Sequence, residues 1–199
     1  MAVRSDSKTV ESPTDDSDWT RGLVGADSIS IELTDEEMED VEEIARARNQ
    51  SYADGRTADT NYTPESGENV HVTGIKAEIA LSILYEEAEV DRSVSALGDN
   101  GVDAQLRIGN EMLDVDVKAT TYDNGWLLIK QGYDHEEADA FVVAVVDGAT
   151  VEFRGWMRNS AVLRDENLEE SPTNGATHSN YTIRDNDRYV RMPEPDIER

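Results

Sequence analysis

The sequence predicts an α/β fold, in which a central mixed β-sheet is flanked by helices. Apolar residues recur at helical spacing in the first half of the chain, from residue 34 and again over 70–85. Residues 113–118 alternate between apolar and polar side chains, the pattern of a half-buried strand. Residues 140–146 form a continuous apolar run, which is typical of a strand that is buried on both faces. Helices and strands that each have one apolar face pack as layers around a common core.

Two helices are predicted before the first strand of the sheet. Thr34 and Glu37 have the spacing of a capping box, so the first helix should begin at Thr34 and end before Gly55. Residues 51–69 are polar and contain Gly, Pro and Asn, which predicts a loop at the border of a substrate groove. The second helix, over 70–85, is apolar on most sides and should be buried against the sheet.

Further strands are predicted after the helices. Residues 126–130 are expected to lie in the central sheet beside 140–146, and 151–156 should pair back through a turn at Asp147 and Gly148. Residues 157–164 are expected to form a short helix.

A hairpin is predicted between residues 102–107 and 113–118, because a Gly-Asn pair at 109–110 suits a tight turn. On the second strand, Asp116 and Lys118 point to the same face. Mirror pairing about the turn is expected to set Asp103, on the first strand, nearer to Asp114 or beyond it. Only strand twist or a bulge would then bring Asp103 to Asp116.

Two converging carboxylates beside one ammonium group suit a hard divalent cation that prefers oxygen ligands, and Mg²⁺ or Mn²⁺ is the expected ion. Such an ion polarises a phosphoryl oxygen and activates a bound water, while a lysine stabilises the developing negative charge. The pattern therefore predicts hydrolysis of phosphodiester bonds.

These residues resemble the signature of the PD-(D/E)XK nuclease superfamily, an acidic residue on one strand and (D/E)-x-K on the next. The matching residues are Asp103 and Asp116-Val117-Lys118. The family commonly adds a glutamate from the preceding helix, and Glu78 stands there in Gly74-Ile-Lys-Ala-Glu78. Val102 replaces the proline of the signature. The resemblance covers roughly residues 70–157.

The resemblance implies a restriction-endonuclease-like core that acts on DNA with Mg²⁺ or Mn²⁺. It implies that Asp103, Asp116 and Glu78 are metal ligands, with Glu78 an accessory ligand or base. Lys118 is then the residue that positions water or stabilises charge. Asp114 is left outside this set.

Each residue of this set also has a structural alternative. Asp114 and Asp116 have the spacing of a solvated face on an edge strand. Glu78 has Ser82 and Tyr85 at helical spacing, and their hydroxyl groups could hold a buried carboxylate. Lys118 could be a solvated lysine at a strand end, although only four of the 18 basic residues are lysines.

The chain is strongly acidic, with 44 acidic against 18 basic residues and a formal net charge of −26. Such a field repels DNA at low salt. In 1 M salt the Debye length falls to about 3 Å, so only close contacts with phosphate persist. The composition therefore predicts adaptation to high salt, in the cytoplasm of a halophilic archaeon, with a virus-encoded protein as one option.

Contact with DNA would need local cations or aromatic rings. Core packing or a surface ion pair is nevertheless the commoner role for each of the candidates, which are Arg107, Tyr122, Trp126, Lys130, Arg154 and Arg158.

The absence of cysteine excludes disulfides, thiolate metal sites and a cysteine nucleophile. No apolar run has the length needed to cross a membrane, and the first residues lack the apolar core of a signal peptide. Residues 1–30 are expected to be a disordered acidic lead-in, 31–192 a single nuclease-like domain and 193–199 a flexible tail.

The functional prediction is a metal-dependent nuclease, an endonuclease rather than an exonuclease, with DNA as its partner and no membrane association. The alternatives are a noncatalytic structural or interaction protein of a haloarchaeal virus or mobile element, and a nuclease fold that binds DNA without cutting. No heptad or interface stripe bears on a homodimer, which stays open.

Overall fold

A computed structural model describes residues 28–55, 64–88, 102–132, 137–173 and 176–196. Most of the predicted acidic lead-in lies outside these residues. Among the described residues, no helix combines the length and the apolar character that a membrane crossing requires.

Two long helices precede most of the sheet, α1 (Asp35–Gly55) and α2 (Pro64–Leu84). The predicted capping box is confirmed, because the Thr34 N–H donates to Glu37 Oε2 at 2.7 Å and the Glu37 N–H donates to Thr34 Oγ1 at 3.3 Å. The loop predicted over 51–69 was wrong at both ends, since the helices extend into it. Helix α2 begins at Pro64. Proline suits the first turn of a helix, because the N–H groups there have no hydrogen-bond acceptor within the helix.

The main sheet has five strands in the order β1-β6-β5-β3-β2. These strands are β1 (Ile29–Glu32), β2 (Ala104–Ile108), β3 (Glu111–Thr120), β5 (Ala140–Asp147) and β6 (Thr150–Arg158). Strands β3 and β5 run parallel, and the other neighbouring strands run antiparallel. The predicted mixed sheet and α/β class are therefore confirmed, as is the β5–β6 hairpin.

A second sheet of three antiparallel strands has the order β4-β8-β7. Its strands are β4 (Leu127–Lys130), β7 (Leu168–Thr173) and β8 (Ala176–Ile183). Placing residues 126–130 in the central sheet was therefore wrong. The predicted helix over 157–164 was also too long, because β6 continues to Arg158 and the helix α3 (Asn159–Val162) is a single turn.

The five-stranded sheet is buried on both faces. Val115, Val117 and Val142 face α1 and α2, within one apolar cluster. Phe141 and Val143, on the opposite face of β5, belong to a second cluster with the small sheet. The small sheet therefore forms a third layer over β5 and β6.

Tyr189 holds the small sheet in place from within this second cluster. Its hydroxyl group accepts from the Leu127 N–H at 3.1 Å and donates to the Gly125 carbonyl oxygen at 2.9 Å. Burial raises the pKa of Tyr189 to about 12, because the phenolate would lose its hydration.

Residues 189–196 run back across the molecule to α2. The N–H of Trp156 donates to Val190 O and the N–H of Val190 donates to Trp156 O, both at 2.9 Å. The Tyr85 hydroxyl donates to Pro193 O at 2.9 Å, and the Asp196 N–H donates to Leu84 O at 2.9 Å. The segment predicted as a flexible tail therefore begins with residues that are bonded to the end of α2. Residues 197–199 lie outside the described part of the chain.

Candidate active site

The register of the β2–β3 hairpin places Asp103 beside the strand that carries Asp116. A two-residue turn closes the hairpin, with Gly109 at a φ of 62°. Gln105 consequently pairs with Asp114, and its side-chain amide donates to Asp114 Oδ1 at 2.8 Å. The expectation that Asp103 lies nearer to Asp114 was wrong, since Asp103 is two positions further from the turn than Gln105.

Asp103 is bound to the backbone of β3 at two points. Its N–H donates to Val115 O at 2.9 Å, although Ala104 is the residue that pairs with Val115. Its carboxylate Oδ2 accepts from the Val117 N–H at 2.6 Å. Val117 is the middle residue of the Asp-x-Lys motif. The Asp103 carboxylate therefore lies against the peptide bond between Asp116 and Val117.

Asp116 and Lys118 form an ion pair on one face of β3. The distance between Lys118 Nζ and Asp116 Oδ2 is 2.6 Å, and the side chains are 34% and 5% exposed, respectively. In the parallel ladder Asp116 lies beside Phe141, whose side chain belongs to the cluster under the small sheet. The carboxylate is thus almost fully removed from water, while the ammonium group still reaches it.

Glu78 is buried on α2, with 9% of the residue exposed. Its Oε1 lies close to Gly74, where an added Cβ would be 3.9 Å away. Helix α2, which carries Glu78, packs on the Val117 side of β3, the face opposite to that of Asp116. The structure brings Asp103 together with the Asp-x-Lys motif.

The two hydroxyl groups proposed as alternative partners of Glu78 donate elsewhere. Ser82 Oγ donates to the Ile79 carbonyl oxygen at 2.8 Å. The Tyr85 hydroxyl donates to Pro193 O. Neither proton is directed at the Glu78 carboxylate, so these two hydroxyl groups do not donate to it.

The donor set around the hairpin fits a cation that is shared with a substrate. No group of three or more Asp, Glu or His side chains in the described ranges is placed to hold a metal ion by itself. Mg²⁺, however, commonly takes only one or two carboxylates and completes its octahedron with waters and substrate phosphates. Asp103 and Asp116 supply that number of carboxylates on neighbouring strands.

The three arginines considered as DNA contacts each form an ion pair with a glutamate. Surface ion pairs are one of the two structural roles expected for them, and contact with DNA stays a prediction. The pairs are Arg107 with Glu87 at 2.9 Å, Arg154 with Glu152 at 2.9 Å, and Arg158 with Glu111.

The outer face of the small sheet carries a feature that the sequence did not reveal. The Arg184 guanidinium group lies 4.3 Å from the centroid of the Trp126 ring and forms an ion pair with Glu169. This pair lowers the pKa of the Glu169 carboxyl group. Tyr122 and Leu128 are also exposed nearby in sequence, at 73% and 55%. Only the pairing of β4 with β8 brings Trp126 and Arg184 together, so no local sequence signal identifies them.

Comparison with known proteins gives no relative for this chain. No protein-family model matches it, and no curated protein or solved structure matches it either. The resemblance to the nuclease superfamily therefore rests on the residues of the hairpin and on their order in the chain.

Proposed function

We propose that this chain is a divalent-metal-dependent nuclease that hydrolyses phosphodiester bonds in DNA, as an endonuclease of the PD-(D/E)XK type. The observation that carries the proposal is the joining of Asp103 to the Asp-x-Lys motif. The Asp103 carboxylate contacts the Val117 N–H, and on either side of Val117 stand a buried carboxylate and a lysine 2.6 Å apart.

The coarse architecture supports the same proposal. An antiparallel hairpin carries the acidic residue on one strand and Asp-x-Lys on the next, and the second strand lies inside a mixed sheet with helices on one face. Fold alone hosts many activities, so the weight of the argument rests on the site residues.

Asp103 and Asp116 would hold Mg²⁺ or Mn²⁺ between the two strands. When bound, the ion would polarise a phosphoryl oxygen and favour ionisation of a bound water. Asp103 is positioned for this by the Val117 N–H, and Asp116 by burial against β5. Positioned carboxylates lose little freedom on binding a ligand, which favours a precise site.

Lys118 would position the attacking water or stabilise the negative charge that develops on the phosphoryl group. Its side chain is one-third exposed, so this lysine lies at the part of the site that reaches solvent. Glu78 enters the proposal as an accessory ligand or base, acting from the helix side of β3.

The net charge of −26 shapes how such an enzyme would meet DNA. Three of the arginines that could offset the charge are neutralised by glutamates. Salt in the molar range would screen the remaining repulsion down to close contacts. We therefore propose an intracellular enzyme of a halophilic archaeon or of its virus, working at high salt.

Cleavage of supercoiled and linear DNA in about 2–3 M KCl, where the Debye length is below about 3 Å, is the experiment that tests this function. Mg²⁺, Mn²⁺ or EDTA is added to the wild type and to the Asp116→Ala and Lys118→Ala variants. We expect metal-dependent cutting that falls about 100-fold or more in both variants. Asp114→Asn is the matched control, because Asp114 precedes Asp116 on the same strand and contacts Gln105 instead.

The products distinguish the remaining forms of the proposal. Nicked or linearised circles establish an endonuclease, whereas cutting of linear DNA alone establishes an exonuclease. DNA binding without cutting, unchanged by Lys118→Ala, would identify a noncatalytic nuclease fold. Neither cutting nor binding of DNA or RNA by the folded wild type would identify a structural or interaction protein.

A further inference from the structure

The ion pair between Asp116 and Lys118 joins two groups with different access to water. The Asp116 side chain is 5% exposed and Lys118 is 34% exposed, with 2.6 Å between Oδ2 and Nζ. Both residues belong to one strand, separated by Val117 alone. The pair therefore forms within β3.

Burial makes a counter-charge necessary at Asp116. A carboxylate removed from water is strongly destabilised unless an opposite charge or several donors compensate it. Lys118 supplies that charge. Its flexible stem and strongly hydrated ammonium group also allow Lys118 to swing into solvent at little cost. The carboxylate has to stay in place, whereas the ammonium group is free to leave.

We propose that Lys118 is a built-in substitute for the divalent cation, which neutralises Asp116 until a metal ion arrives and is released when it binds. This inference rests on the proposed nuclease function and concerns the same site. Lysine and metal then compete for one carboxylate. The free energy needed to release the lysine therefore weakens the binding of the metal by the same amount. The Oδ2 atom of Asp103 is bound to the Val117 N–H, so the exchange is assigned to Asp116.

The exchange would give the site two properties. The protein stays folded without metal, because Asp116 never lacks a counter-charge. The ammonium group of Lys118 becomes available to a phosphate only in the metal-loaded state, so that metal and lysine act together.

Calorimetric titration with Mn²⁺ tests the exchange directly, without reference to catalysis. Lys118→Met removes the competing charge, and we expect Mn²⁺ to bind about tenfold more tightly than to the wild type. Lys118→Arg keeps a cation and should stay within about threefold of the wild type. Lys76→Met is the control for loss of a lysine, because Lys76 Nζ instead binds the Gly148 carbonyl oxygen at 2.6 Å.

Thermal unfolding gives a second readout of the same exchange. We expect Mn²⁺ to raise the Tm of Lys118→Met more than that of the wild type, since the variant alone lacks a counter-charge at Asp116. If Lys118→Met does not fold without metal, Mn²⁺ should restore its folding. The double variant Asp116→Asn/Lys118→Met should fold without metal and bind no Mn²⁺.

Two results would overturn the proposal in distinguishable ways. Mn²⁺ affinity of Lys118→Met equal to or below that of a wild type that binds and cuts would disprove the exchange and leave the nuclease function standing. Absence of Mn²⁺ binding in the wild type and in every variant would remove both.

Discussion

Two ion pairs in this protein each join a carboxylate to a cationic side chain, but the carboxylate is buried in one pair and exposed in the other. The pair on β3 consists of Asp116, with 5% of its side chain exposed, and Lys118. The pair on the small sheet consists of Arg184 and Glu169, with side chains 50% and 41% exposed. Water and salt reach the second pair from both sides, whereas only the ammonium end of the first is open.

The difference shows why proximity of opposite charges is a poor guide to importance. An exposed pair gains little because solvent already stabilises each partner. In a buried pair, removal of one partner leaves the other charged and desolvated, and that penalty is much larger than the worth of the pair itself. We therefore expect substitutions in the buried pair to lower stability and activity more than substitutions in the exposed pair.

The largest effect should come from removing the cation of the buried pair. Lys118→Met should lower the free energy of unfolding of the metal-free protein by about 2 kcal/mol, below the about 3–5 kcal/mol of a fully buried pair because Lys118 is one-third exposed. Arg184→Met should change stability little. Urea unfolding in EDTA measures both, and equal effects would contradict the distinction between the pairs.

A smaller loss of stability is expected from Tyr189→Phe. This variant tests how much the hydrogen bonds of the Tyr189 hydroxyl group stabilise the small sheet, whose ion pair between Arg184 and Glu169 is exposed. Loss of the hydroxyl group removes its bonds to Leu127 and Gly125 and should cost about 1–2 kcal/mol at neutral pH.

Tyr189 also makes a prediction about pH. Its pKa is raised to about 12, so the folded state keeps the proton that the unfolded state loses above pH 10. The contribution to stability is complete below pH 10 and is lost as pH rises toward 12. Stability of the wild type should therefore fall more steeply over this interval than that of Tyr189→Phe, and parallel curves would contradict the assignment.

The smallest effect is expected at Glu169. Arg184 lowers its pKa, so any stabilisation is present above the ordinary pKa of glutamate and is lost as pH falls through the lowered value. Glu169→Gln should therefore be slightly less stable than the wild type at neutral pH, and the difference should disappear on acidification. Thermal melts between pH 3 and pH 7, about the range in which carboxyl groups titrate, provide the measurement.

The parts of the fold that the sequence predicted are those fixed by local chemistry. The capping box at Thr34 and the two-residue turn at Gly109 and Asn110 depend on neighbouring residues, and both are found. The continuous apolar run of β5 also predicted its burial. Periodicity gave the shared face of Asp116 and Lys118, and hence the possibility of their contact.

The parts that were missed depend on pairing between distant residues. An apolar run such as 127–130 predicts burial but does not say which sheet buries it. Strands β7 and β8 consist largely of polar residues, and β1 has only four residues, so their hydrophobic signal is weak. The contact of Asp103 with the Val117 N–H depends on how the ladder ends beyond Ala104, which alternation does not specify.

The bonds that fasten residues 193–196 to α2 have a consequence for the order of folding. Tyr85 and Pro193 are 108 positions apart in the chain, whereas Asp103 and Val117 are 14 apart. Closing the longer loop costs about 2 kcal/mol more in chain entropy, and distant contacts form more slowly than local ones. The hairpin that carries Asp103 and Asp116 should accordingly be assembled early, and the closure at Tyr85 should be a late kinetic step.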